Sequence, residues 1–190
     1  SRATPDEIEA YASGNAAVPN AQYGVLLEGH TFSNGIAGNT IANHSLAGIA
    51  LNPDTGAPVA RPTGNTIAGN TITSNGPVGI ALTPGSNNNA IGLSGSGNTI
   101  AGHTSSGIEI QSSGNTLKSN ELRQNQVGIL VSGAANNTIG GATTPEGNRA
   151  HDNTQHGIYI TGAGATGNRV SRTTTADNGG KGIALANGGN

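Results

Sequence analysis

Cysteine, methionine and tryptophan are absent from the 190 residues, and one Phe and three Tyr make up the whole aromatic complement. Without cysteine there are no disulfides, thiolate nucleophiles or thiolate metal sites, and the redox compartment stays open. An aromatic content of 2% rules out an ordinary globular core. Charge is scarce as well: 9% of residues are charged and the formal net charge is −2. There is no basic field to attract a phosphate backbone, so nucleic acid is not an expected partner. No apolar run approaches the length of a membrane span, and Ser1-Arg2-Ala3-Thr4-Pro5 has neither an initiator Met nor a signal-peptide core, so the chain reads as mature or trimmed.

What abounds is Gly, with 32 residues, and Asn, with 24. These two types best tolerate the left-handed backbone of tight bends, so the chain consists of turns joined by short strands. Its strands announce themselves as seven Gly-(Ile/Val)-x-(aliphatic) tetrads: Gly24-Val25-Leu26-Leu27, Gly48-Ile49-Ala50-Leu51, Gly79-Ile80-Ala81-Leu82, Gly107-Ile108-Glu109-Ile110, Gly128-Ile129-Leu130-Val131, Gly157-Ile158-Tyr159-Ile160 and Gly182-Ile183-Ala184-Leu185. Their glycines are 24, 31, 28, 21, 29 and 25 residues apart. A period of this size marks a solenoid, in which a repeat too small to bury its own apolar face is stable only when stacked on its neighbours.

Within each tetrad the two aliphatics stand at strand period, so both face inward and the residue between them faces out. A second sheet is expected from Asn34-Gly35-Ile36, Asn65-Thr66-Ile67, Asn98-Thr99-Ile100, Asn115-Thr116-Leu117, Asn137-Thr138-Ile139 and Asn168-Arg169-Val170. A third, shorter strand is suggested by Asn39-Thr40-Ile41, Asn70-Thr71-Ile72 and Asn120-Glu121-Leu122. Three strands per coil is the parallel β-helix pattern, and coils of unequal length favour the right-handed form, with loops over Asn52 to Thr63, Thr83 to Ser96 and Ala142 to Gly147. About seven coils at a strand spacing of about 4.8 Å make a rod on the order of 35 Å long. The recurring asparagines before the second strand read as a structural ladder, in which stacked amides bond one another and the turn backbone.

Residues 1–22 differ from the rest: Thr4-Pro5-Asp6-Glu7 supplies an N-cap, an early Pro and first-turn acids, which predicts a short helix through Tyr11 as an N-terminal cap. The solenoid is expected over 23–190, and nothing comparable follows Gly189-Asn190. An uncovered end exposes strand edges and aliphatic core. The expected partners are therefore other copies, or further repeats of the same protein, stacked end to end.

The stretch from Val127 to Gly189 carries Asn136-Asn137-Thr138-Ile139-Gly140-Gly141, Gly147-Asn148, Asn153 and Gly157-Ile158-Tyr159-Ile160. It resembles the bacterial right-handed parallel β-helix repeat proteins of the secreted and cell-surface type. The resemblance implies an all-β, right-handed, single-stranded parallel β-helix that is secreted, extracellular or at the bacterial cell surface. It does not imply an activity, because such coils occur in polysaccharide lyases, alginate epimerases, copper-maturation accessory proteins and plain surface stalks.

Chemistry is sought on the outward face of the first sheet, whose columns are expected to read Leu26, Ala50, Ala81, Glu109, Leu130, Tyr159, Ala184 and, beside them, Glu28, Asn52, Thr83, Gln111, Ser132, Thr161, Ala186. A lyase or epimerase needs a cation for the uronate carboxylate, a base for the C5 proton and an acid. Glu109, His156 and Tyr159, with Lys181 one coil further on, are the candidates for such a centre, and scattered polar residues on a solvated face account for them equally well. Glu109, Gln111, Tyr159 and Thr161 are the candidates for glycan contact. His151 and His156 beside a turn fix no coordination geometry, and no metal or other cofactor is expected. His30, His44 and His103 read as turn residues, His103 replacing an Asn of a ladder. A column of Thr66, Thr99, Thr116 and Thr138 raises ice binding as a minor alternative. The expected function is a non-catalytic extracellular spacer, stalk or self-assembling filament unit with weak carbohydrate binding. The alternative is a polysaccharide lyase or uronate epimerase segment.

Overall fold

The computed structural model describes residues 20–52 and 61–189. The helix and cap expected over 1–22 fall almost entirely outside these residues. Three parallel sheets wrap one narrow prism. The first has seven strands: Tyr23–Glu28, Ala47–Asn52, Val78–Leu82, Ser106–Ile110, Val127–Ser132, His156–Thr161 and Ile183–Ala186. The second has six: Gly35–Ala37, Thr66–Ala68, Ala90–Ile91, Thr116–Leu117, Thr138–Gly140 and Arg169–Ser171. The third also has six: Thr40–Ala42, Thr71–Thr73, Thr99–Ala101, Glu121–Arg123, Arg149–His151 and Thr174–Ala176. Each strand pairs with its counterparts one coil away, so the described chain makes six three-stranded turns, and a further strand of the first sheet follows them.

Register follows the tetrads. Val25, Ile49, Ile80, Ile108, Ile129, Ile158 and Ile183 are successive partners, as are Leu27, Leu51, Leu82, Ile110, Val131, Ile160 and Leu185. A slip of one residue would turn both columns outward, and this holds the register. The core is almost wholly aliphatic; its third wall is Ile41, Ile72, Ile100, Leu122 and Ala150.

One expectation is corrected. Asn98-Thr99-Ile100 belongs to the third sheet, where Ile100 partners Ile72 and Leu122. The second-sheet strand of that coil is Ala90–Ile91, with Ile91 between Ile67 and Leu117. This strand lies inside the expected Thr83 to Ser96 loop. The cause is an insertion: Gly92 to Gly97 form a small excursion closed by reciprocal Leu93 and Ser96 backbone bonds of 3.0 and 2.9 Å, and it separates two strands that three of the other coils join through two residues. The outward column of the second sheet consequently reads Gly35, Thr66, Ala90, Thr116, Thr138, Arg169. The four-threonine column on which ice binding rested is interrupted, and Thr99 stands on a different face.

Each corner of the prism is held by its own polar ladder. Asn34, Asn65, Asn89, Asn115, Asn137 and Asn168 precede the second sheet. Asn39, Asn70, Asn98, Asn120 and Asn148 precede the third. His44, Asn75, His103, Asn125, Asn153 and Asn178 precede the first. A typical rung takes two donors, since Asn98 gives its backbone N–H (3.1 Å) and its amide (2.8 Å) to Oδ1 of Asn120. Buried corner backbone is thereby satisfied without water.

Candidate functional site

The first-sheet face carries the expected columns. Glu109 is flanked by Ala81 and Leu130, and Leu130 in turn lies beside Tyr159. Glu109 and Tyr159 are thus two strand spacings apart, about 9.6 Å, with an apolar side chain between them. The Glu109 carboxylate accepts a 2.6 Å hydrogen bond from the amide of Gln111, its neighbour on the same strand. His156 does meet Tyr159: the ring centroids are 5.2 Å apart and tilted by 55°. Nδ1 of His156 accepts the backbone N–H of Lys181 at 2.9 Å, tying this ring to the last coil. Thr161 Oγ1 accepts the amide of Asn187 at 3.2 Å. The expected residues therefore divide into a Glu109–Gln111 pair and a separate His156–Tyr159 pair against the Lys181 backbone.

The densest charge lies elsewhere, on the third sheet. Glu121 and Arg149 are register partners, as are Arg123 and His151. Oε1 of Glu121 lies 3.2 Å from Nε2 of His151 and 3.5 Å from Arg149, while Nδ1 of His151 lies 2.6 Å from Asp152. Glu121 reaches both Arg149 and His151 on the next coil, which pins the two coils together, while Arg123 donates to the Gln124 side chain at 2.9 Å. Sequence reasoning missed it because the strand Arg149–His151 presents Ala150 inward and so lacks the Asn-x-Ile signature. Alignment of Asn120 with Asn148 would have revealed it.

A second ion pair closes the loop that follows the fifth second-sheet strand. Glu146 accepts Lys118 Nζ at 2.7 Å and the backbone N–H groups of Ala142 and Thr143 at 2.7 and 3.0 Å. The Lys118 hydrogen bond, followed by those two N–H groups, holds its carboxyl down to about 2. Three donors stabilising one carboxylate is an anchoring arrangement.

The model of the family described as right handed beta helix region matches residues 95–190, just over half of the sequence. The chain belongs to the right-handed β-helix family. Residues 6–93 match a second family model, described as periplasmic copper-binding protein (NosD). No curated protein matches the sequence. Among solved structures, three of the periplasmic alginate epimerase AlgG, two of them mutants, superpose over 86% of this β-helix, with TM-scores of 0.58, 0.59 and 0.53 at 16, 15 and 18% identity. At that identity the likeness is one of fold. This β-helix spans 42 to 47% of those chains, less than half their length.

Proposed function

We propose that this β-helix is an exported, non-catalytic structural module, a spacer or stacking unit that touches glycans weakly through the Tyr159 face. The observation that carries this reading is the insertion of Leu130 between Glu109 and Tyr159. A base and an acid working on one sugar ring must both reach it, and here the carboxylate is engaged by Gln111 instead. A location in the periplasm or beyond the cell is supported by the periplasmic description of both NosD and AlgG. The residues do not fit a copper site: the sequence has no Cys or Met to offer soft ligands, and among the described residues no group of three or more His, Asp or Glu is placed to hold a metal ion.

Stacking is the second part of the proposal. Ile183 and Leu185 are 44% and 55% exposed, whereas their partners Ile158 and Ile160 are fully buried. A further coil laid on the strand Ile183–Ala186, from the same protein or another copy, would bury both side chains and pair the free strand edge. Light scattering over a concentration range, with Ile183→Lys as the comparison, tests it: the wild type should associate and the variant should not. A monomeric wild type at every concentration removes stacking between copies.

The alternative, an alginate epimerase type of activity, is favoured only by the likeness to AlgG. Incubation with uronate polymers, monitoring exchange at C5 and the ultraviolet absorbance of unsaturated ends, separates the two. Turnover abolished by Tyr159→Phe or His156→Ala would overturn the structural reading.

A further inference from the structure

The ladder before the first sheet is the one whose links titrate. Its asparagine rungs run in one direction: Nδ2 of Asn125 donates to Oδ1 of Asn153 at 3.2 Å, and Nδ2 of Asn153 donates to Oδ1 of Asn178 at 2.9 Å. His103 interrupts that series while 2% exposed. Its Nδ1 lies 2.8 Å from Oδ1 of Asn125 and its Nε2 lies 3.4 Å from Nδ2 of Asn75. The first contact requires a proton on Nδ1, and the second requires a lone pair on Nε2. The neutral Nδ1–H tautomer alone satisfies both.

Rotating the Asn75 amide cannot relieve a protonated ring. Oδ1 of Asn75 already accepts the backbone N–H of His44 at 3.1 Å, and its Nδ2 already donates to the carbonyl of Ile41 at 3.1 Å. His44 repeats the relation one step on, its Nδ1 accepting the backbone N–H of Asn20 at 3.1 Å. Both imidazoles flanking Asn75 thus serve as inter-coil acceptors. The groups packed against them are Asn20, Asn75, Asn125 and the backbones of Gly24 and Gly79, none of them charged.

We propose that this corner is an acid-sensitive seam. Protonation of His103 and His44 sets donor against donor at the His103–Asn75 and His44–Asn20 coil contacts, loosening the strand Val78–Leu82 from Ser106–Ile110 and Ala47–Asn52 from Tyr23–Glu28, and releasing the segment at Asn20. Burial also holds both imidazoles below their ordinary value of 6.5, opposed at His103 by the Asn125 bond. The neutral form is the one the fold favours, so this stability is complete above 6.5 and is lost as the pH falls through the lowered folded values.

Hydrogen exchange read by mass spectrometry, corrected for the intrinsic effect of pH, tests the seam at about pH 7.5 and about pH 5, on either side of the free imidazole. In the wild type, protection of residues 47–52 and 78–82 should fall by about tenfold or more at the lower pH, while residues 127–132 keep theirs. His44→Asn with His103→Asn, which restores the ordinary rung, should remove most of that difference. Undiminished protection in the wild type, or an equal loss in the double variant, overturns the proposal. Nitrogen NMR of the wild type needs no variant: His103 must show the Nδ1–H tautomer at neutral pH, and an Nε2–H signal overturns it.

Discussion

Asn137 gives both its backbone N–H and its side-chain amide to Oδ1 of Asn168, at 2.9 and 3.0 Å, across a coil boundary. The same Asn137 accepts the corresponding pair from Asn115 at 2.9 and 3.1 Å. One fully buried amide therefore links three consecutive coils.

Asn137→Ala removes the acceptor that two Asn115 donors share. Each buried donor left unpaired costs about 1–3 kcal/mol. Urea denaturation should show a loss of that size or greater.

Inward and outward positions should differ sharply. Ile129→Ala or Ile158→Ala opens a cavity between coils and should cost about 2–5 kcal/mol. Thr116→Ala or Glu109→Ala, on outward faces, should stay within roughly ±0.5 kcal/mol. The reverse ranking in chemical denaturation would invert the assignment of faces.

Glycine at the head of a tetrad is a packing requirement. A Cβ on Gly128 would lie 2.5 Å from the carbonyl oxygen of Gly157, 3.1 Å from Cβ of Ala150 and 3.2 Å from the amide of Asn153. Gly128→Ala should destabilise by about 1–3 kcal/mol. At Gly35 a Cβ meets nothing within 4 Å, so Gly35→Ala should stabilise by about 0.4–1 kcal/mol through the unfolded chain. Denaturation midpoints moving in opposite directions would verify both.

Glu146 supplies a second, more acidic pH dependence. Its folded value of about 2 lies below the ordinary 4.5, so its contribution is complete above 4.5 and is lost as the pH falls through about 2. Lys118→Met should raise the Glu146 carboxyl toward its ordinary value in a carbon NMR titration and flatten the acid limb of the stability profile. An unmoved carboxyl would show that the two backbone donors suffice.

The sequence by itself determined the solenoid, the inward columns of the first-sheet tetrads and the existence of an asparagine ladder. The reason is that stacked coils repeat one local pattern, so Ile49, Ile80 and Ile108 disclose their shared column without any knowledge of their contacts. The tertiary structure alone decided which motif joins which sheet when a loop intervenes: Asn98-Thr99-Ile100 and Asn89-Ala90-Ile91 are nearly equivalent locally, and stacking on Ile72 and Ile67 separates them. It also decided what the charged residues do. Glu121 and His151 are 30 residues apart in the chain and 3.2 Å apart in space, whereas Glu109 and Tyr159, read from the sequence as one cluster, are separated by Leu130. A strand motif is a local property of the backbone, but a meeting of side chains depends on coil lengths, and in this protein those vary with every loop.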